Sequence, residues 1–277
     1  MTAESFEELA ARRKKLEAQL QAAPMAVIEG VVGPNGVSAG KAGPETLWSI
    51  NMTLEVWRLQ GGALQSQPLR LTRKVDDAEL KRYQLAARGD YPLVRLKARL
   101  VMETGFAGPE AWLEEIPEVI EDAELAGQAA QLQAPVIHED AFFGPCTLDR
   151  QIECFKAQAA WNGGNIKVYL QSGTLKTLPL VLEQARALWR DQARWHARVL
   201  DCAADSLLEL KNDSWLDDDE EPVTADAFKQ RIELQSISMN EEGCFEFCFG
   251  DDDLFWGHAI MVDGTLDNGP EDANIAG

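Results

Sequence analysis

The stretch WSINMTLEV, residues 48–56, constrains the fold more than any other part of this chain. Its apolar side chains fall at every second position: Trp48, Ile50, Met52, Leu54 and Val56. A period of two over this length predicts a β-strand with one face buried. Because one strand cannot bury a face alone, the chain must supply further strands around a common core.

Neighbouring segments provide those strands. Gly61-Gly62 predicts a hairpin turn, residues 68–75 the returning strand, and residues 91–103 a further alternating strand after a short helix. The polar and apolar positions of residues 1–24 predict a leading amphipathic helix. We therefore predict a helix over 1–24 and a small OB-like β-barrel domain over 25–104.

The second half has a different pattern. Residues 105–141 are rich in Glu and Asp and are predicted to form an acidic connector. Residues 142–277 combine short strands with one long helix over 179–211, which predicts an α+β domain with an antiparallel sheet and a helix packed on it. The last predicted strand begins at Leu254, so Trp256 and His258 are expected on the same strand face.

Acidic residues concentrate toward the C-terminus. From Asp205 onward there are 3 basic and 20 acidic residues in a chain whose net charge is −20. Such a surface repels nucleic acid and anionic membranes and attracts basic proteins or cations. Two predicted loops carry the densest groups: Asp217, Asp218, Asp219, Glu220, Glu221, Asp251, Asp252 and Asp253. We predict that they form a binding surface for a basic protein partner, with a merely solubilising surface as the alternative.

Two other site hypotheses remain open. If the two acidic loops meet, Asp217, Asp219, Asp251 and Asp253 are candidate ligands for a divalent cation, with His258 nearby. No other cofactor is expected. A pocket lined by Trp215, Trp256 and His258 is the second hypothesis.

A basic stripe on the outward face of the strand at 91–103 comprises Arg95, Lys97 and Arg99. On an OB-like barrel it could bind single-stranded nucleic acid. The absence of interleaved aromatic residues and the negative charge of the chain disfavour that function. None of the usual catalytic motifs is present, so no catalytic residue is predicted.

The chain has five cysteines, an odd number without disulfide-framework spacing, and its longest apolar runs are too short to span a membrane. Both features favour a cytoplasmic protein.

The C-terminal motifs resemble a known family. The series LLELKNDSWLDDDEEPVTADAFKQRIELQSISMNEEGCFEFCFGDDDLFWGHAIMVDGTL, the ending ANIAG and the hairpin sequence GPCTLDRQIECFKAQAAWNGGNIKVYL are similar to the bacterial domain of unknown function 2262, over about 138–277. The resemblance implies a cytoplasmic bacterial protein with an α+β fold and supplies no catalytic residue. It also leads us to expect glycine where this chain has Asp252.

These observations predict a non-enzymatic, cytoplasmic bacterial interaction protein that binds a basic partner, and neutralisation of a toxin is one such role. A metal-dependent enzyme or metal-binding domain, and a single-stranded nucleic-acid-binding protein, are the alternatives.

Overall fold

The computed structural model describes residues 6–43, 45–106, 108–217 and 220–277. The chain divides into two compact units, Met1–Ala134 and Pro135–Gly277. The elements of the first unit are α1 (Phe6–Ala22), β1 (Met25–Gly40), β2 (Trp48–Leu59), β3 (Leu69–Val75), α2 (Asp77–Ala86), β4 (Leu93–Val101), β5 (Glu110–Leu113), β6 (Glu118–Val119) and α3 (Ala123–Gln133).

Five strands of the first unit close into a barrel. They are hydrogen-bonded in the order β1-β2-β3-β5-β4, and β1 also pairs with β4. A bulge between Val32 and Val37 interrupts the register of β1 with β2, and bulges of this kind bend a strand. The inward side chains of β2 are those that the alternation predicts, with Ile50, Met52 and Leu54 fully buried. The predicted barrel-like fold is therefore confirmed.

The segment predicted as an acidic connector differs from the structure. Within 105–141, strand β5 pairs with β3 and β4, β6 pairs with β4, and α3 buries Leu125 and Ala129 in the first unit. The two units meet at Ala134 and Pro135, inside this segment. Strands of two to four residues carry too little alternation to be recognised among so many acidic residues.

The elements of the second unit are β7 (Ile137–Asp140), β8 (Gly144–Asp149), β9 (Cys154–Trp161), β10 (Gly164–Leu170), α4 (Leu178–Trp189), α5 (Gln192–Ser214), α6 (Ala225–Arg231), β11 (Glu233–Met239), β12 (Cys244–Gly250), β13 (Ala259–Thr265) and β14 (Gly269–Ala276). The strands form one sheet in the order β14-β13-β12-β11-β10-β9-β8-β7. Every pairing is antiparallel except that of β10 with β11, because α4, α5 and α6 lie between these strands and form a crossover.

The helices of the second unit pack on one face of its sheet. Phe245, Phe247 and Phe249 occupy every second position of β12, and all three point into the core. Val199, Ala203 and Leu207 of α5 belong to the same apolar cluster. The predicted α+β arrangement, with a long helix packed against the sheet, is confirmed.

The helix predicted over 179–211 is interrupted at Arg190 and Asp191. Trp189 and Gln192 on either side both donate side-chain hydrogen bonds to the carbonyl oxygen of Ala160. The helix therefore breaks where the chain is hydrogen-bonded to β9, and neither Pro nor Gly marks the point in the sequence. None of the helices in the described part of the chain is long and apolar enough to cross a lipid bilayer.

Candidate functional site

The two acidic loops of the second unit lie side by side and enclose an aromatic cluster. One loop leaves the C-terminal end of α5 at Trp215, and the other joins β12 to β13. The Trp215 ring lies 4.7 Å from the Trp256 ring and 5.3 Å from the His258 ring, measured between centroids. The structure thus brings together the three residues of the predicted pocket, on a base formed by the buried Phe255.

The loop between β12 and β13 includes residues that were predicted to belong to a strand. Residues 251–258 form successive turns, and β13 begins only at Ala259. The expectation that Trp256 and His258 share one strand face is therefore wrong. Phe255 is fully buried, while 57% of Trp256 is exposed.

Asp251 organises this loop. Its carboxylate accepts hydrogen bonds from the backbone N–H groups of Phe255, at 2.8 Å, and Gly257, at 3.0 Å, and the residue is buried. A carboxylate that caps backbone donors in this way holds the turns in place. The side chain of Asp251 therefore has a structural role within the loop.

The backbone of the loop is strained. Asp252, Asp253 and Trp256 have φ angles of 45°, 63° and 55°, and Gly257 has a φ of 88°. This left-handed region is uncommon for side chains other than glycine, and for a bulky residue it is an outlier. Asp252 occupies the position where the family resemblance leads us to expect glycine, which fits its φ angle. Strain of this kind concentrates at functional sites.

Two basic residues hold the loops together. Arg231, at the end of α6, donates to the carboxylate of Asp252 at 3.2 Å and to that of Glu220 at 3.4 Å. Lys211 is fully buried, and its ammonium group donates to the carbonyl oxygen of Trp215 at 2.8 Å and to the carboxylate of Glu220. The hydrogen bond from Lys211 is the main reason why the pKa of Glu220 is lowered. The acidic loops therefore meet through Glu220, Arg231 and Asp252.

The eight predicted acidic residues fall into three groups. Asp251, Asp252 and Glu220 are engaged as described, while Asp218 and Asp219 lie outside the described residues. Asp217, Glu221 and Asp253 have exposed side chains that form no ion pair within the described ranges. We call these three the rim carboxylates, because they lie in the same two loops as Trp215 and Trp256; no described cation forms an ion pair with them.

The described residues do not support the predicted metal site. Among them, no group of three or more His, Cys, Asp or Glu side chains is arranged to hold a metal ion. The carboxylate of Asp251 is already bound to backbone N–H groups, and Nδ1 of His258 donates to the carbonyl oxygen of Phe255 at 2.7 Å. Asp219, the remaining candidate in the first acidic loop besides Asp217, is outside the described ranges.

The basic stripe on the barrel is paired with carboxylates. Arg95 contacts Glu29 at 2.8 Å, Lys97 contacts Glu115 at 2.9 Å, and Arg99 contacts Glu114. A nucleic-acid phosphate would have to compete with these ion pairs, so the stripe differs from the open positive surface that single-strand binding requires.

Comparison with protein families agrees with the division of the chain. A family model described as "Uncharacterized protein conserved in bacteria (DUF2262)" matches residues 140–275. The C-terminal unit belongs to this family. A second model, described as a domain of unknown function (DUF7021), matches residues 12–132. No curated protein and no solved structure showed significant similarity to the chain.

Within the DUF2262 unit, sequence reasoning missed Lys211 and Arg231. Lys211 continues the apolar stripe Val199, Ala203 and Leu207 at a spacing of four residues. A lysine in such a stripe signals a buried cation that needs a partner. Arg231 had no comparable signal, because its contact with Asp252 depends on how the two loops fold.

Proposed function

We propose that the chain is a non-enzymatic bacterial interaction protein of the cytoplasm, and that its aromatic–acidic site binds a basic protein partner. The site consists of Trp215, Trp256 and His258 with the rim carboxylates Asp217, Glu221 and Asp253. The observation that carries the proposal is the exposed Trp256, which a strained loop holds against Trp215, in loops whose rim carboxylates form no ion pair with any described residue.

The chemistry of the site fits an arginine or lysine side chain. Indole rings attract cations through their negative faces, and partly desolvated cation–π contacts contribute about 1–2 kcal/mol. Carboxylates at the rim add attraction and raise the association rate, since the surrounding surface is also acidic. Exposed tryptophans at the centre of a contact surface are frequent hot spots. Neutralisation of a basic toxin is the specific role that we propose for such binding.

The test compares three forms of the full chain as affinity baits in extracts of the bacterial host. Wild type should retain a basic protein that is released as salt is raised, because the rim charges are screened. Trp256→Asn should lose at least about ten-fold in affinity for that purified protein, which corresponds to about 1.4 kcal/mol. Leu180→Asn, which alters an exposed apolar residue on α4, is the matched control and should bind normally.

Two results would contradict the proposal. One is equal retention of the partner by wild type and Trp256→Asn; the other is binding that does not respond to salt. For the toxin role, coexpression of the wild-type chain with a toxic partner should restore growth, whereas coexpression of Trp256→Asn should not.

A further inference from the structure

The sheet of the second unit has a face that its helices do not cover, and charges on that face are separated. One row of paired residues crosses the sheet from β9 to β14: Lys156, Tyr169, Ser238, Glu246, Asp263 and Asp272. The adjacent row contains Lys167 on β10. Basic groups therefore lie on one side of β11 and acidic groups on the other.

The acidic side is unfavourable in an isolated copy. Glu246 is opposite Asp263, and Asp263 is opposite Asp272, so like charges face each other across β12, β13 and β14. Such pairs destabilise a sheet. No cation within the described ranges forms an ion pair with Glu246 or Asp263. Burial, with the neighbouring Asp263 as a second cause, raises the pKa of Glu246.

The basic side has the complementary charge. Lys167 is exposed and forms no ion pair in the described part of the chain, while Lys156 is paired with Asp149 at the sheet surface. A groove of about 620 Å³ borders both lysines and the ring of Tyr169. An incoming side chain can therefore reach the basic half of the face.

A second copy can be placed against this face by a two-fold axis that runs parallel to the strands and is centred over β11. Under this rotation β10 of one copy faces β12 of the other, and β9 faces β13. Lys167 is then within one row of Glu246 of the second copy, and Lys156 faces its Asp263. The contact is self-complementary, as a two-fold interface requires.

From this arrangement we infer that the uncovered sheet face binds a second copy of the chain in a symmetric dimer. Because β11 is the fourth of eight strands, seven strands, β14 to β8, overlap between the copies. At about 4.8 Å apart, with about six residues each, they provide a face of roughly 700 Å², somewhat below the roughly 800 Å² that one partner contributes to a standard interface. This surface is distinct from the aromatic–acidic site, so either proposal can fail while the other holds.

The test measures the mass of the full chain by sedimentation equilibrium across micromolar concentrations in about 0.1 M salt. Wild type should dimerise. Lys167→Glu and Glu246→Lys should each raise the dimer dissociation constant at least ten-fold, because each places like charges opposite one another. The double variant Lys167→Glu/Glu246→Lys should restore dimerisation by exchanging the two signs.

Matched controls change the same charges elsewhere on this unit. Lys176→Glu lies in the exposed segment before α4 and Glu209→Lys on the exposed side of α5, and both should dimerise as wild type does. A wild-type chain that remains monomeric overturns the inference, even if a different basic protein is found to bind this sheet face. Failure of the double variant to recover, with circular dichroism confirming that all variants are folded, also overturns it.

Discussion

Lys211 shows how one buried charge can position a site. Its ammonium group is the donor shared by the carbonyl oxygen of Trp215 and the carboxylate of Glu220, and only 1% of its side chain is exposed. Removing one partner of a buried ion pair leaves the other uncompensated, which costs about 3–5 kcal/mol in fully buried cases. Because Glu220 is partly exposed, we expect a smaller loss here.

Lys211→Met should lower the free energy of unfolding by about 2–3 kcal/mol in urea titrations followed by circular dichroism. It should also shift the tryptophan fluorescence, since Trp215 loses its anchor. Lys229→Met is the matched control: it removes the more exposed pair of Lys229 with Asp201 and should cost less than about 1 kcal/mol. Equal losses in the two variants would show that Lys211 has no special role.

Substitution of Trp256 distinguishes its role in binding from its role in stability. Its φ of 55° is costly for an aromatic residue, whereas asparagine tolerates this conformation better. Trp256→Asn gives up the ring contact with Trp215 but relieves the backbone, so the free energy of unfolding should change by less than about 1 kcal/mol. A loss above about 2 kcal/mol in the same urea titration would mean that Trp256 is chiefly a packing residue.

At the scale of elements, the facing carboxylates of β12 and β13 predict an unusual pH dependence. The pKa values of Glu246 and Asp263 are raised above their ordinary values of 4.5 and 3.8, chiefly by burial. Between the ordinary and the raised pKa, the folded chain holds protons that the unfolded chain releases. The contribution of these groups to stability is therefore present below pH 4 and is lost as pH rises through the raised pKa values.

Glu246→Gln should remove part of this dependence. Relative to wild type, the variant should become more stable as pH rises from 4 to 7, by up to about 1 kcal/mol, in denaturant titrations of dilute protein. Paired carboxylates such as Glu220, whose pKa is lowered, change stability with pH in the opposite sense. Their contribution is the same in both proteins, so it cancels when the variant is compared with wild type. Glu209→Gln on α5 is the control for the loss of one exposed carboxylate. A difference in stability between Glu246→Gln and wild type that does not change with pH would contradict the prediction.

Some strands of the two units could be predicted from the sequence, whereas the contacts between them could not. Alternation identifies β2, β4 and β12 because it is a local property of each segment. That Glu246, Asp263 and Asp272 are neighbours depends on the register of three strands, which local pattern does not specify. Strand β14 was not predicted, because GPEDANIA has only Ala273 and Ile275 directed toward the core.

At the scale of the whole molecule, sequence identified a barrel followed by an α+β domain, and the boundary between the two units falls inside the segment predicted to connect them. The acidic composition of 105–141 led to the prediction of a connector, whereas the pairing of β5 with β3 and β4 places that strand in the barrel. The aromatic–acidic site was predicted in its residues but not in its geometry. Its form depends on contacts of Asp251 and Lys211 within their own loops and on Arg231, which joins the two loops through Glu220 and Asp252.

Each unit has its own apolar core, which predicts that each can fold alone. The cluster around Phe247 contains only residues of Pro135–Gly277, and the one around Met52 only residues of Met1–Ala134. Chains of this length bury enough surface to be stable independently. A fragment of residues 135–277 should therefore unfold cooperatively in calorimetry, and Lys211→Met should destabilise it as much as it destabilises the full chain. A fragment without a heat-absorption peak, or one insensitive to Lys211→Met, would show that the second unit does not form its core unaided.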